Sequence, residues 1–352
     1  MILIAVALVA LSAEFYLSQT GARYDLAVEQ AAFADYHARA GKTQRGRNPD
    51  TRQAFPIVFN QFGLYDATAR HEAPAPDRFP ILLLGDSFVE NLSLPFADGL
   101  AAQLEKSLRA TNPNADVIQA GLGGIGTDRE FDMLREVAPT MKPRLVLLGW
   151  FNNDLWDISP DRGPAAKQPR LLQRSYLYQF LLDRLARTAD SADQRLKYRL
   201  AYESFFAGGE KDALITNALN RTFELLGQMD EYCREHGMRF GVVAIPNSVS
   251  FSEITTKGAY AEIAGSLGRS LRGFRPGQPY YLIAQMAIAE NIAVYPYLYV
   301  VFKKALSARP PQTEQARRLL YFVNDPHWNE NGCKIAADAV AEWLRTSGLV
   351  RN

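Results

Sequence analysis

From residue 79 onward, short apolar runs alternate with segments in which apolar residues recur every three or four positions. The runs show no polar alternation, which is typical of strands buried on both faces of a parallel sheet. The predicted strands cover residues 79–84, 117–118, 145–148, 240–245 and 293–298.

The segments between these strands have helical periodicity. Leu100, Leu104 and Leu108 form one apolar stripe, and Thr127 with Glu130 has the pattern of a capping box that opens the next helix. Further helices are predicted over 215–233 and 335–344. The alternation predicts an α/β protein, a three-layer α/β/α domain with a doubly wound parallel sheet of about five strands. Such sheets bind ligands at the carboxyl ends of their strands.

The pattern divides the chain into an apolar N-terminal helix (1–19), a lead-in or stalk (20–78) and an α/β domain (79–350). The first thirteen residues are apolar except Ser12, and we interpret this segment as a membrane anchor or an uncleaved signal, although the run is short for a span. A buried core helix is the alternative. Membrane contact is expected through residues 1–17.

A helical insertion is predicted over residues 160–212, where the strand–helix alternation stops. Between positions 162 and 199, nine lysines or arginines stand against three aspartates, and aromatic residues are interleaved. Such a segment either covers one edge of the sheet as a solvated helix pair or contacts anionic lipid or glycan.

Composition excludes several classes of protein. Lysine plus arginine total 39 against 38 aspartates plus glutamates, a balance that argues against nucleic-acid binding. Cys233 and Cys333 are the only cysteines, so a disulfide scaffold and a cysteine zinc site are excluded. We predict two buried thiols, and a single disulfide between them is the alternative. The four histidines are scattered, so no metal site is expected.

The strongest chemical signal is Ser87, which follows the first predicted strand. A serine hydroxyl becomes a nucleophile only with a base, a group that orients the base, and donors for the developing oxyanion. Of the four histidines, His327 is the candidate base, since it precedes the final helix and has Asp325 two residues away. Donors follow the other strands: a glycine run over 121–126 and the carboxamide of Asn153.

These blocks resemble those of the SGNH hydrolases, also called GDSL-like esterases. The matching segments are Gly85-Asp86-Ser87, Gln119 to Gly124, Asn153-Asp154 and Asp325-Pro326-His327, within about residues 79–346. Phe59 to Asp66 also resembles the lead-in of membrane-anchored bacterial members.

The resemblance implies a role for each matching residue. Ser87 would be the nucleophile, His327 the base and Asp325 its partner. The oxyanion would be bound by the backbone N–H groups of Ser87 and Gly124 and by the side chain of Asn153, with Gly121, Gly123 and Gly126 as competitors for the glycine role.

The chain departs from the family's pattern in two places, of which the first concerns the subgroup and the second the loop that carries Asn153. Asp325 and His327 are separated by one residue, whereas many members have two residues between them. The one-residue spacing is found in subgroups related to polysaccharide O-acetylation. Phe151 stands where the third block usually has glycine.

The implied activity is serine-dependent hydrolysis of short-chain acyl esters, above all acetyl, on envelope or secreted glycans. The alternative is an O-acetyltransferase that moves the acyl group to a polysaccharide hydroxyl. Neither needs a cofactor. The expected location is the extracytoplasmic side of a bacterial membrane, in the periplasm or at the cell surface.

Two other classes remain as rivals. Gly121, Gly123 and Gly126 also spell the dinucleotide fingerprint G-x-G-x-x-G, which requires an acidic residue about 20 residues further on. The first acidic residue beyond the next strand, Asp154, comes 28 residues after Gly126. A catalytically silent SGNH-like domain that binds glycans is the second rival.

Overall fold

The computed structural model describes residues 36–66, 74–158, 213–251, 277–307 and 319–350, with a few positions among the first sixteen. The strands are β1 (Thr43–Arg47), β2 (Ala54–Val58), β3 (Phe79–Gly85), β4 (Ala115–Gly121), β5 (Leu145–Trp150), β6 (Arg239–Ala244) and β7 (Ala293–Tyr295). The helices are α1 (Ser87–Glu90), α2 (Leu100–Arg109), α3 (Thr127–Met141), α4 (Asp154–Asp157), α5 (Ala213–Glu235), α6 (Gln278–Ala289), α7 (Leu298–Ser307) and α8 (Glu330–Ser347).

Five of the strands form one parallel sheet in the order β4-β3-β5-β6-β7. Counted within the sheet this is 2-1-3-4-5, the flavodoxin-like doubly wound order, whose ligand crevice lies where the strand order reverses, beside β3. All five predicted strands are present.

The sheet is buried on both faces because alternate residues of each strand face different helices. Leu82, Ile118 and Val146 belong to one apolar cluster, which also contains residues of α3, α5 and α6. Leu83, Val117 and Leu147 belong to a second cluster, which contains residues of α2, α7 and α8. The predicted three-layer α/β/α fold is confirmed.

The described part of the lead-in packs against the domain. Strands β1 and β2 form an antiparallel hairpin, preceded by a 3-10 turn over Tyr36–Arg39. The hydroxyl of Tyr36 donates to Glu136 of α3 at 2.6 Å, and Asn48 in the hairpin turn donates to Glu330 of α8 at 3.3 Å. The lead-in therefore touches helices of both outer layers.

Three adjacent strands carry a glycine at or next to their carboxyl ends, and these glycines let α1 lie directly across the sheet. Gly85 is in register with Gly121 on one side and Gly149 on the other. A Cβ atom at any of the three would lie 2.3 to 2.9 Å from atoms of Val89 or Glu90. The close approach brings the residue that begins α1, Ser87, to the strand ends.

The start of α3 differs from the predicted capping box. The N-cap is Gly126, which has no side chain to cap with, and Thr127 is the first helical residue. The hydroxyl of Thr127 instead donates to Asp154 at 3.4 Å, so a tertiary contact has replaced the local cap. Cys233 and Cys333 are both buried free thiols, as predicted.

Two predictions concern residues that are wholly or largely outside the described part of the chain: the helical insertion over 160–212 and most of the N-terminal apolar segment over 1–19. Within the described part, no helix combines the length and the apolar character needed to cross a bilayer.

Candidate active site

Ser87 is presented at the carboxyl edge of the sheet. It opens α1 one residue after Asp86, whose carboxylate caps the helix by accepting the N–H of Phe88 at 2.9 Å. Between Phe79 and Asn91 it is the only residue that is not buried. The strand, the cap and the burial of its neighbours fix the position of one accessible hydroxyl.

The imidazole of His327 lies against this hydroxyl, 240 positions along the chain. Its Nε2 is 2.7 Å from the Oγ of Ser87, and its Nδ1 is 2.5 Å from the Oδ1 of Asp325. An ionised carboxylate can only accept, so Nδ1 carries the ring proton and Nε2 accepts from the serine. The side chains of His327 and Asp325 are 18% and 23% exposed, which leaves the site shielded yet reachable.

Asp325 is held as a carboxylate. Burial acts to raise its pKa, but the hydrogen bond and charge of His327 outweigh burial and lower that pKa below its ordinary value. The hydroxyl of Ser93 donates to its second oxygen at 3.3 Å. Asp325 also accepts the backbone N–H of His327 at 2.8 Å, so the two-residue spacing closes a tight turn.

The loop that carries this pair is tied to α8 and α1. Asn329 caps α8 by accepting two backbone N–H groups, and its amide donates to the carbonyl of Tyr321 at 3.1 Å. From the other side, the amide of Asn91 donates to the carbonyl of Trp328 at 3.2 Å. Trp328 is fully buried and packs edge-on against Phe88. The segment after Ser87 thus directly anchors the loop that holds His327.

The glycine loop after β4 passes beside Ser87. A Cβ atom on Gly123 would lie 3.5 Å from the Cβ of Ser87. The N–H of Gly123 donates to Glu90 at 2.8 Å, and the N–H of Gly121 donates to the side chain of Gln119 at 3.3 Å. Gly124 adopts a φ of 76°, in the left-handed region that favours glycine. Two competitors for the donor role are therefore engaged elsewhere.

Asn153 lies in the loop between β5 and α4 and is partly buried. This loop is shaped by Asp154, whose carboxylate accepts the N–H of Phe151 at 3.4 Å as well as the hydroxyl of Thr127. Phe151, at the position where the resemblance leads one to expect glycine, packs against Phe88 with tilted rings whose centroids are 4.3 Å apart. The Phe151 side chain therefore fills space beside α1.

Sequence reasoning missed the buried ion pair behind the glycine loop. Glu90 is 5% exposed, and its second oxygen is 3.0 Å from the guanidinium of Arg39 in the lead-in. The sequence does show that Glu90 lies three residues after Ser87. No local pattern links Glu90 to Arg39, which lies 51 positions earlier in the chain. Within the described residues, no cluster of metal-ligating side chains is present.

The chain was compared with protein families, curated proteins and solved structures, and only solved structures match it. No family model matches the sequence, and no curated protein matches it. Matching structures include TesA, at 14% identity and a TM-score of 0.42 over 76% of this chain and 98% of TesA. Esterase EstA from Pseudoalteromonas sp. matches at 11% identity and a TM-score of 0.40, over 76% of this chain and 98% of EstA.

A catalytic mutant of Axe2, an acetylxylan esterase from Geobacillus stearothermophilus, matches at 15% identity and a TM-score of 0.40, over 78% of this chain and 96% of Axe2. A further matching structure is that of a GDSL-like lipase from Bacteroides thetaiotaomicron. The order of this chain's own strands establishes the doubly wound α/β/α fold, and the solved structures that match it include esterases and a lipase.

Proposed function

We propose that this protein is a serine esterase of the SGNH type, acting on short-chain acyl esters. The observation that carries the proposal is the pair of contacts made by His327, 2.7 Å to Ser87 on one side and 2.5 Å to Asp325 on the other. A nucleophile, a base and an orienting carboxylate within hydrogen-bond reach are the arrangement that activates a serine.

The reaction proceeds through a seryl ester. His327 Nε2 takes the proton of the Ser87 hydroxyl as Oγ attacks the ester carbonyl carbon. The tetrahedral oxyanion is bound by the N–H groups of Ser87 and Gly124 and the amide of Asn153. As the C–O bond breaks, imidazolium at His327 protonates the leaving alkoxide, while Asp325 stabilises the positive ring. Water, deprotonated by His327, then attacks the acyl carbon, the bond to Ser87 Oγ breaks, and His327 returns the proton to that oxygen as the carboxylic acid is released.

The dinucleotide alternative finds less support. A pyrophosphate on the loop over 121–126 would need its backbone N–H groups and the start of α3. The N–H of Gly123 already binds a carboxylate, that of Glu90. A dinucleotide-binding function would also leave the contact between Ser87 and His327 unexplained.

Acetyl release from p-nitrophenyl acetate tests the proposal, comparing the wild-type protein with Ser87→Ala. Ser107→Ala is the matched control, because that hydroxyl lies on α2 and donates to Asp338 of α8, away from the site. We expect Ser87→Ala to lose activity by about 10⁴-fold or more and Ser107→Ala to retain it. Equal rates for wild type and Ser87→Ala would remove Ser87 from the mechanism and overturn the proposal.

Hydrolysis and transfer share every residue named above, so the acceptor needs its own experiment. The resemblance to SGNH subgroups with the same spacing of Asp325 and His327 favours acetyl esters of glycans as substrates, and transfer to a glycan hydroxyl is the second candidate. Oligosaccharide acceptors added to the same assay separate the two. Acetylated oligosaccharide detected by mass spectrometry would indicate transfer, and release of acetate alone would indicate hydrolysis.

A further inference from the structure

The glycine loop beside Ser87 is held by a buried ion pair that bridges two parts of the chain. Glu90 lies at the end of α1 and Arg39 at the end of the 3-10 turn in the lead-in. One oxygen of Glu90 accepts the N–H of Gly123 at 2.8 Å, and the other is 3.0 Å from a guanidinium nitrogen of Arg39. The two side chains are 5% and 14% exposed.

We propose that Glu90 and Arg39 are positioning residues for the oxyanion loop over 121–126. This inference rests on the proposed esterase function. Glu90 fixes the loop against α1, and Arg39 supplies the positive charge that lets a carboxylate stand there. This contact fixes the position of the loop relative to α1, the helix that carries the nucleophile. The N–H groups of the same loop would bind the oxyanion.

The electrostatic part of the argument concerns the charge of Glu90. A carboxylate near the reacting centre opposes the negative charge that develops on the substrate oxygen, and burial strengthens that repulsion. The guanidinium of Arg39 offsets this charge. It is itself fixed, with its central carbon 4.4 Å from the ring centre of Phe59.

The geometric part of the argument concerns Gly123. Its backbone lies close enough to Ser87 that an added Cβ would be 3.5 Å from the serine Cβ and 3.2 Å from the Glu90 carboxylate. The peptide that follows leads into Gly124, with its left-handed φ of 76°. A shift of Gly123 away from Glu90 would therefore be transmitted to the next N–H group along the loop.

The chain offers a matched control in Glu105 and Arg109. Glu105 also joins an arginine, at 2.9 Å, to a backbone N–H group, that of Val117 at 2.8 Å. This pair lies on α2 and holds the middle of β4. It has the same chemistry as Glu90 and Arg39 but does not touch the glycine loop.

Steady-state kinetics on an acetyl ester form the first test, using Arg39→Met, Glu90→Gln and the double variant. We expect each single variant to lower kcat about 10- to 100-fold with KM within about 3-fold, because the loop acts on the transition state. In the double variant a neutral amide oxygen can still accept from Gly123, and no charge is left unpaired. Its kcat should return to within about 3-fold of wild type.

The corresponding variants Glu105→Gln and Arg109→Met should lower thermal stability with kcat unchanged. Arg39→Lys keeps the charge and should retain more activity than Arg39→Met. If folded single variants keep wild-type kcat, or if the double variant shows no recovery, the inference is overturned.

Hydrogen exchange provides a readout that does not depend on activity. Glu90→Ala should speed exchange in the peptide containing Gly123 by about 10-fold or more, while Glu105→Ala should affect only the region of Val117. Unchanged exchange at Gly123 would overturn the positioning role even in an active enzyme. Faster exchange in a protein without Ser87-dependent esterase activity would keep the positioning role and reject the proposed function.

Discussion

The two sides of Ser87 are built from different parts of the polypeptide. On one side lie two side chains: His327 is 2.7 Å from the Ser87 hydroxyl, and Asp325 is 2.5 Å from the far nitrogen of His327. On the other side stands backbone, the glycine loop over 121–126, whose placement depends on a carboxylate from α1. A catalytic side chain can be recognised from its residue type. The position of a backbone donor, by contrast, depends on the contacts that hold its loop.

The difference also concerns how each side is secured. The loop with His327 is fixed by hydrogen bonds from Asn91, Ser93 and Asn329. The glycine loop is fixed by Glu90, a charged group that needs a partner of its own. We therefore expect the side-chain half to fail mainly through loss of the acid–base groups and the backbone half mainly through loss of position.

Among the substitutions that separate the two sides of Ser87, Asp325→Asn is expected to have the largest effect. The amide would donate to Nδ1 and favour the tautomer in which Nε2 carries the proton and cannot accept from Ser87. We expect kcat to fall by about 10⁴-fold with KM little changed. Steady-state kinetics check this, and Asp338→Asn, an exposed aspartate of α8, serves as the control. A loss below about 10-fold would show that Asp325 does not orient the base.

Asn153→Ala tests the other side of the comparison. Removal of one oxyanion donor is expected to lower kcat by about 10²–10³-fold without a matching rise in KM. Asn152→Ala is the neighbouring control, since the side chain of Asn152 lies 3.5 Å from that of Asn247. Equal losses in the two variants would point to a disturbed loop and remove the donor role from Asn153.

The sequence predicted the side-chain half of the site and the sheet that presents it. The buried strands, Ser87 after the first of them, and the pair Asp325 and His327 before the last helix each leave a local pattern. The ion pair behind the glycine loop leaves none, because Arg39 and Glu90 meet only after the lead-in folds onto the domain. The capping box at Thr127 failed for the same kind of reason, since Asp154 binds that hydroxyl.

Asp50→Ala asks whether the lead-in also secures the side-chain half. The carboxylate of Asp50 accepts the backbone N–H groups of Val323 and Asn324, at 2.9 Å each, just before Asp325. We expect kcat to fall about 10-fold, because the loop loses a charge-assisted anchor. Asp77→Ala, an exposed aspartate close to β3, is the control. Unchanged kinetics for Asp50→Ala would mean that Asn91 and Asn329 hold the loop without the lead-in.

The smallest effect is expected from Ser93→Ala, and it concerns pH. The pKa of Asp325 is lowered in the folded protein below its ordinary value of 3.8, and the hydroxyl of Ser93 contributes to that lowering. A lowered pKa stabilises the fold above the unfolded-state value, and the stabilisation is lost as pH falls through the folded value. Without Ser93 the folded pKa moves back up, so the stabilisation is smaller and its loss is complete at a higher pH.

Urea midpoints measured between about pH 2 and pH 6 should show this shift. Asp325→Asn, which has no carboxyl group to titrate, provides the reference curve from which the contribution of Asp325 is read. At neutral pH, Ser93→Ala should lower kcat by only about 2- to 5-fold, the share of a single neutral hydrogen bond to the carboxylate. If the Ser93→Ala and wild-type differences from the reference coincide at every pH, the hydroxyl of Ser93 does not act on Asp325, and its 3.3 Å contact adds nothing to the side-chain half.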